Sequence, residues 1–119
     1  MSSESLHENP ETLGAGVIDT HRAIVSLMEE LEAVDWYQQR VDATHDAELR
    51  DILRHNRDEE KEHAAMVLEW IRRRDPSFDA KLRAYLFSEG PIVGRERAVE
   101  GKDVTERAVV TVGSLREGR

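Results

Sequence analysis

Two stretches of this chain place their candidate core residues at alternating spacings of four and three, which is the pattern of a coiled-coil seam. The first seam comprises Ala23, Leu27, Glu30, Val34, Tyr37 and Val41. The second seam comprises Leu49, Leu53, Asn56, Glu60, His63, Val67 and Trp70. The pattern restricts the chain to long amphipathic helices whose apolar sides must be covered by other helices. The predicted fold class is therefore all-α.

The first helix has a recognisable start signal. Asn9 can act as its N-cap and Pro10 as its first residue. Helix 1 is therefore predicted to begin at Pro10 and to run to about Val41. Gly14 and Gly16 lie in its first turns, and each weakens a helix by about 1 kcal/mol relative to alanine. The regular part of the helix is thus expected to begin after them.

The next two helices follow from similar signals. Asp46 can cap a second helix, predicted over residues 47–74. Asp75 and Pro76 stop that helix, and a short third helix is predicted over residues 77–87. The short connection between helices 1 and 2 predicts an antiparallel hairpin.

The predicted organisation has three parts. Residues 1–9 are expected to be flexible, residues 10–92 to form one helical domain, and residues 93–119 to form a disordered tail with an apolar island at about 109–116. Two long helices and one short one cannot bury a large core. The chain is therefore expected to dimerise into a four-helix bundle.

Composition excludes several classes of function. The chain has no cysteine, so disulfides and thiolate metal sites are ruled out. The formal charge of −8 opposes binding to nucleic acid. No apolar run is long enough for a membrane span, and the first residues do not resemble a signal peptide. A cytoplasmic protein without a membrane or nucleic-acid partner is expected.

Carboxylates and an imidazole interrupt the apolar seams. Glu60 and His63 are three residues apart and share one helix face, and Glu30 occupies a similar position on helix 1. Di-iron sites in helix bundles need one Glu from each of two helices and a Glu-x-x-His from each of the other two. The chain supplies half of that set, and a two-fold dimer would supply the rest. Such ligands suit Fe(II), Mn(II) or Zn(II).

Each candidate residue also has a structural interpretation. Glu60 and His63 could form a buried polar network that fixes helix register. Tyr37 could hydrogen-bond a ligand carboxylate or simply fill the core. Glu29 and Glu32 could gather cations at the mouth of the site, or form a solvated acidic face.

A further trio on helix 2 has the spacing of a weak cation site. His55, Glu59 and Glu62 approach one another at intervals of four and three residues. They could hold a weaker second cation, although surface hydration is the favoured explanation.

Three segments of the chain resemble the encapsulated ferritins, two-helix relatives of ferritin that are packaged inside encapsulin shells. The similar segments are residues 25–37, 55–64 and 85–92, within a region of about 20–92. Residues 111–116, of sequence Thr-Val-Gly-Ser-Leu-Arg, resemble the peptides that direct cargo to such shells.

The resemblance implies a ferritin-like four-helix bundle and an Fe(II) oxidase. It implies two irons per dimer, bound by Glu30, Glu60 and His63 with Tyr37 beside them. It places Glu29, Glu32 and Trp36 at an iron entrance, which could also take Ca(II) or another divalent cation, and His55, Glu59 and Glu62 at a peripheral cation site. It assigns targeting to Thr111, Val112, Gly113, Ser114, Leu115 and Arg116.

The resemblance also implies the partners. A ring of ten subunits, built from five metal-bridged dimers, is expected to oxidise iron inside an encapsulin nanocompartment in the cytoplasm, and the shell is expected to store the mineral. The alternative function is a non-catalytic cargo or adaptor protein whose helices are bridged by a metal ion. A simpler alternative is a helical adaptor with a polar seam and no metal.

Overall fold

The computed structural model describes residues 5–95, and all the regular structure within them is helical. A single-turn 3₁₀ helix, Pro10–Thr12, precedes helix α1, Ala15–Ala43. Helix α2, Ala47–Arg74, and helix α3, Pro76–Tyr85, follow. The predicted all-α class, with two long helices and a short third one, is confirmed. The predicted targeting segment lies outside the described residues.

The start of helix 1 differs from the prediction. Asn9 does act as a cap, because its side chain accepts a hydrogen bond from the Glu11 amide at 3.0 Å. The capped turn is nevertheless a 3₁₀ helix that ends at Thr12, and the α-helix starts anew with Gly14 as its N-cap. Gly14 has extended backbone angles (φ −72°, ψ 156°), so the chain bends there instead of continuing one helix.

The turn between α1 and α2 is held by two side chains. Asp46 Oδ1 accepts from the Leu49 amide at 2.8 Å, which confirms Asp46 as the cap of α2. Arg50 reaches back from α2 and donates to the Thr44 carbonyl at 2.6 Å and the Val41 carbonyl at 3.4 Å. These bonds occupy carbonyl groups at the end of α1 that have no partner within the helix.

Helices α1 and α2 run antiparallel. Near the turn Arg50 contacts Val41, farther away Arg57 Nη1 donates to Gln38 Oε1 at 2.8 Å, and farther still His63 faces Glu30. The partner on α1 moves toward the N-terminus as the residue on α2 moves toward the C-terminus. The hairpin predicted from the short connection is therefore confirmed.

The interior of a single chain is small. Among the described residues the buried apolar side chains are Val41, Ala64 and Ile71. The seam residues of α1 are half-buried or buried, as predicted, whereas Leu49 at the start of the α2 seam is 44% exposed. Other large apolar side chains remain exposed on the two long helices, namely Val17, Ile24, Met28, Leu31, Trp36, Ile52 and Met66. The single chain therefore leaves much of the apolar surface of both long helices open to solvent.

The chain divides into two compact units, Met1–Ile71 and Arg72–Arg119. In the second unit Asp75 caps α3 by accepting from the Phe78 amide at 2.9 Å. Helix α3 ends at Tyr85, two residues before the predicted end, because Leu86 is extended and Phe87 adopts a left-handed φ of 58°. A left-handed residue just after a helix is a common terminator.

Within the described part of the chain, no helix is both long and apolar enough to cross a membrane.

Candidate metal centre

The structure brings the three seam residues with metal-binding side chains together. Glu30 extends from α1, and Glu60 and His63 extend from α2, so that one ligand atom of each lies within 4.8 Å of the others. His63 Nδ1 is 3.6 Å from Glu30 Oε2 and 3.7 Å from Glu60 Oε2. Within residues 5–95 this is the one group of three such side chains that approach so closely.

These distances fit ligands that converge on one cation. Two donor atoms that bind a metal at about 2.1 Å lie about 3.0–3.6 Å apart at ordinary coordination angles. One nitrogen–oxygen separation at His63, 3.6 Å, is at the upper limit of that range, and the other, 3.7 Å, is just above it. Small rotations of the side chains would reduce both. Two carboxylates with one imidazole also match the preference of Fe(II) and similar ions.

The electrostatics of the pair of carboxyl groups favour a cation. A side-chain hydrogen bond with Glu60 raises the pKa of Glu30, and partial burial and the charge of Glu60 act in the same direction. The charge and hydrogen bond of His63 oppose this pKa shift. A raised pKa means that the ionised form of Glu30 is disfavoured by its neighbours, with Glu60 the largest contributor. A divalent ion bound between the two carboxylates would offset the repulsion between them.

Glu59 lies beside the cluster and faces two imidazoles. Its Oε1 is 3.2 Å from His55 Nε2, and its Oε2 is 4.0 Å from His63 Nε2. Glu62, the third member of the predicted peripheral trio, is exposed. Glu62 does not join His55 and Glu59 in a close group of three ligands within the described residues, so that cation site stays a prediction.

Tyr37 occupies the α1 seam two turns after Glu30 and is half-buried, as predicted. The Arg40 guanidinium lies over its ring, 5.4 Å from the ring centroid. This contact is a cation–π interaction that holds the ring. The hydroxyl group takes no part in it, so any functional role of Tyr37 would depend on where that hydroxyl group points.

The predicted iron entrance lies on one face of α1. Glu29, Glu32 and Trp36 are spaced three and four residues apart and are all exposed. Trp36 also lines a shallow groove with Arg40. Their assignment to an entrance stays a prediction.

Sequence reasoning missed three contacts around the cluster. Arg40 could have been found, because residues three apart on a helix are neighbours and Arg40 follows Tyr37 at that distance. The approach of Glu59 to His63 could have been found from their spacing of four residues, as the approach of Glu59 to His55 was. The bond from Arg57 to Gln38 joins two helices and has no local signal.

Comparison with known proteins gives consistent results. A model of the EncFtn-like family matches residues 5–89. The chain is 64% identical over 98 residues to the "Encapsulated ferritin-like protein" of Rhodospirillum rubrum, with 82% of this chain and 70% of that protein covered. It is 36% identical over 104 residues to the "Encapsulin nanocompartment cargo protein EncC" of Myxococcus xanthus, with 77% and 80% covered.

A solved structure has a similar fold. The crystal structure of protein ne0167 from Nitrosomonas europaea superimposes with a TM-score of 0.73 at 61% sequence identity. The superposition covers 75% of this chain and 98% of that chain. The matched region is long enough to include the whole helical hairpin.

Proposed function

This chain belongs to the EncFtn-like family of encapsulated ferritin-like proteins, and on that basis we propose that it oxidises Fe(II) to Fe(III) with oxygen at a two-iron centre between two copies of itself. The convergence of Glu30, Glu60 and His63 is the observation that carries the proposal. Iron is the substrate of this reaction, and the ferric product is passed to a mineral.

The need for a second copy follows from the number of ligands. One chain offers one Glu on α1 and one Glu-x-x-His on α2, and a bundle that binds two irons needs twice that set. In a two-fold dimer each ligand meets its mate across the axis. Two irons would then be held at the interface, each by carboxylates and one imidazole.

The exposed apolar side chains support the same arrangement. Leu31 follows Glu30 directly and is 55% exposed, and Met66 lies one turn after His63 and is 59% exposed. Both would be covered if the helical hairpin of a second copy packed against Glu30, Glu60 and His63. The proposed assembly is a dimer, and five such dimers would form the ten-subunit ring expected from the resemblance.

The side chains divide the work of the reaction. Glu29, Glu32 and Trp36 are proposed to form the iron entrance. The carboxylates of Glu30 and Glu60 would hold the iron, and their negative charges would balance that of the cation. Each Fe(II) gives up one electron, so an iron pair supplies the two electrons that reduce one O₂ to the level of peroxide.

The proposed location comes from the relatives. The names of the Rhodospirillum rubrum and Myxococcus xanthus proteins describe an encapsulated protein and a nanocompartment cargo. We propose that this chain is likewise held inside an encapsulin shell in the cytoplasm, and that residues 111–116 bind the shell.

Measurement of iron oxidation tests the catalytic proposal. The purified protein is mixed with Fe(II) in aerated buffer, and both oxygen uptake and ferric absorbance are followed. Glu30→Ala and His63→Ala are expected to lose most of the rate, whereas Glu48→Gln, on an exposed position of α2 far along the helix, keeps it. Variants that oxidise iron at the parental rate would contradict the proposal, and metal-dependent assembly without oxygen uptake would support the non-catalytic alternative.

Two further measurements test the proposed assembly and the proposed shell-targeting role of residues 111–116. Native mass spectrometry with and without Fe(II) should show metal-dependent subunit association and two irons per dimer. Deletion of residues 111–119 should abolish loading into the shell and leave iron oxidation unchanged. Loading that survives the deletion would exclude this segment as the address.

A further inference from the structure

Glu59 lies between two histidines of α2, one of which belongs to the candidate metal centre. Its two oxygens face two different imidazoles of the same helix, with Oε1 at 3.2 Å from His55 Nε2 and Oε2 at 4.0 Å from His63 Nε2. His55, Glu59 and His63 are spaced by four residues, so they form a row along one face of α2. The row begins at the exposed His55 and ends at His63, which belongs to the group of candidate metal ligands.

The two nitrogens of His63 have different surroundings. Nδ1 faces the carboxylates of Glu30 and Glu60, so it is the nitrogen that would bind a metal. Nε2 faces Glu59 instead. An imidazole that binds a metal through one nitrogen carries its proton on the other, and metal-binding histidines commonly donate that N–H to a carboxylate.

From this row we propose that Glu59 is a positioning residue, which accepts the Nε2–H of His63 and thereby directs Nδ1 toward the metal, while His55 anchors Glu59. The separation of 4.0 Å is longer than a hydrogen bond. Rotation of the 44% exposed Glu59 side chain would close it when the metal fixes the imidazole. This inference assumes the metal site of the proposed function and adds a residue that acts through His63.

A positioning role differs from a second cation site in what removal of Glu59 does. Loss of a positioning residue weakens the existing site, typically by about 10–100-fold in metal affinity, and leaves the number of bound ions unchanged. Loss of a ligand from a separate site reduces the number of bound ions and leaves the affinity of the main site unchanged. The two roles are therefore distinguishable by titration.

The test uses Co(II), which reports binding through its visible absorption without any oxidation. Full-length protein and the variants Glu59→Ala, Glu59→Gln and Glu48→Gln are titrated, and circular dichroism checks that each is folded. Glu59→Ala is expected to bind Co(II) about 10–100-fold more weakly at unchanged stoichiometry. Glu59→Gln should lose less, because its amide oxygen still accepts the N–H, and Glu48→Gln should match the parent.

A double-mutant cycle with His63 completes the test. If Glu59 acts through the imidazole, Glu59→Ala adds no further loss of affinity in a His63→Ala background. Additive losses, parental affinity in Glu59→Ala, or fewer ions per chain would each overturn the positioning role. A parent protein that binds no Co(II) would instead defeat the proposed metal site itself, so the two failures are separable.

Discussion

The two units of the chain surround their acidic side chains with different neighbours, and the pKa shifts are opposite in direction. In the second unit Asp79 is held by the guanidinium groups of Arg72 and Arg83, and this contact lowers the pKa of Asp79. In the first unit Glu30 and Glu60 share one imidazole, and the pKa of Glu30 is raised. Arg72 and Arg83 stabilise the charged form of Asp79, whereas His63 does not offset the effect of Glu60 on Glu30.

The difference is whether neighbouring basic side chains stabilise the ionised carboxylate. Both clusters lie on helices and both consist of charged residues, so composition does not distinguish them. The direction of the pKa shift does, because it reports whether the charged form of the carboxylate is stabilised by its neighbours. In the proposed function, a bound metal ion would supply the positive charge that offsets the repulsion between Glu30 and Glu60.

The largest expected effect comes from removing one of the repelling charges. Glu60→Gln should weaken metal binding by at least about 100-fold, because a neutral amide replaces a carboxylate ligand. The same change should leave the melting temperature of the metal-free protein unchanged or raise it, because it removes repulsion with Glu30. Thermal unfolding in chelator and in excess Mn(II) measures both quantities.

The stabilisation of the parent protein by bound metal is the reference against which the variants are compared. At a free metal concentration of 100 times the dissociation constant, binding stabilises the parent fold by about 2.7 kcal/mol. Glu60→Gln should lose that stabilisation, and Glu48→Gln should retain it. A metal-free Glu60→Gln protein that melts well below the parent would show that Glu60 has a structural role, and the contrast with Asp79 would disappear.

Most of the fold could be predicted because the local signals agreed with the tertiary structure. The limits of α2, residues 47–74, coincide with the prediction, since Asp46 and Pro76 fix both ends. The start of α1 could not be predicted to the residue. The Asn9 cap is real, but its turn is a 3₁₀ helix that ends at Thr12. Leu13 and Gly14 are extended, and the α-helix starts again at Ala15.

The candidate site was also predictable in part. Glu30, Glu60 and His63 could be identified because a carboxylate or imidazole in an apolar seam is unusual and the seams fix which residues face each other. The proposed role of Glu59 could not be identified in the same way. Its spacing of four from His55 and His63 indicates that they are neighbours, but which oxygen faces which imidazole depends on side-chain rotamers. The ligands that a second copy would contribute in the proposed dimer likewise lie outside a single chain.

The next effect concerns Arg57, a cation one turn before Glu60 that the chain uses elsewhere. Its guanidinium bonds to Gln38 across the hairpin and to Asp58, whose pKa it lowers. Arg57→Ala should therefore cost about 1–2 kcal/mol of unfolding free energy and leave metal affinity close to the parent value. Denaturant unfolding and a metal titration of the same variant give the two numbers. A large change in affinity would mean that Arg57 does balance the cluster.

A smaller effect is expected at Tyr37. Tyr37→Phe removes the hydroxyl group and keeps the ring under Arg40. If the hydroxyl donates one hydrogen bond to a ligand carboxylate or to bound oxygen, the loss is about 1 kcal/mol, or about fivefold in the rate of iron oxidation. Stability should not change. A parental rate would assign Tyr37 to the core alone and confine the functional cluster to three side chains.

The smallest effect is expected from Asp79→Asn, because the surrounding side chains keep contact with solvent. The pKa of Asp79 is lowered, first by the hydrogen bond from Arg72 and then by that from Arg83, so its stabilisation is present above the ordinary aspartate pKa of about 3.9 and is lost as pH falls through the lowered value. The melting temperature of the parent should exceed that of Asp79→Asn at neutral pH, and the difference should vanish in acid. A gap that persists at low pH would mean that Asp79 stabilises the fold in its neutral form, and the contrast with Glu30 would then concern packing and not charge.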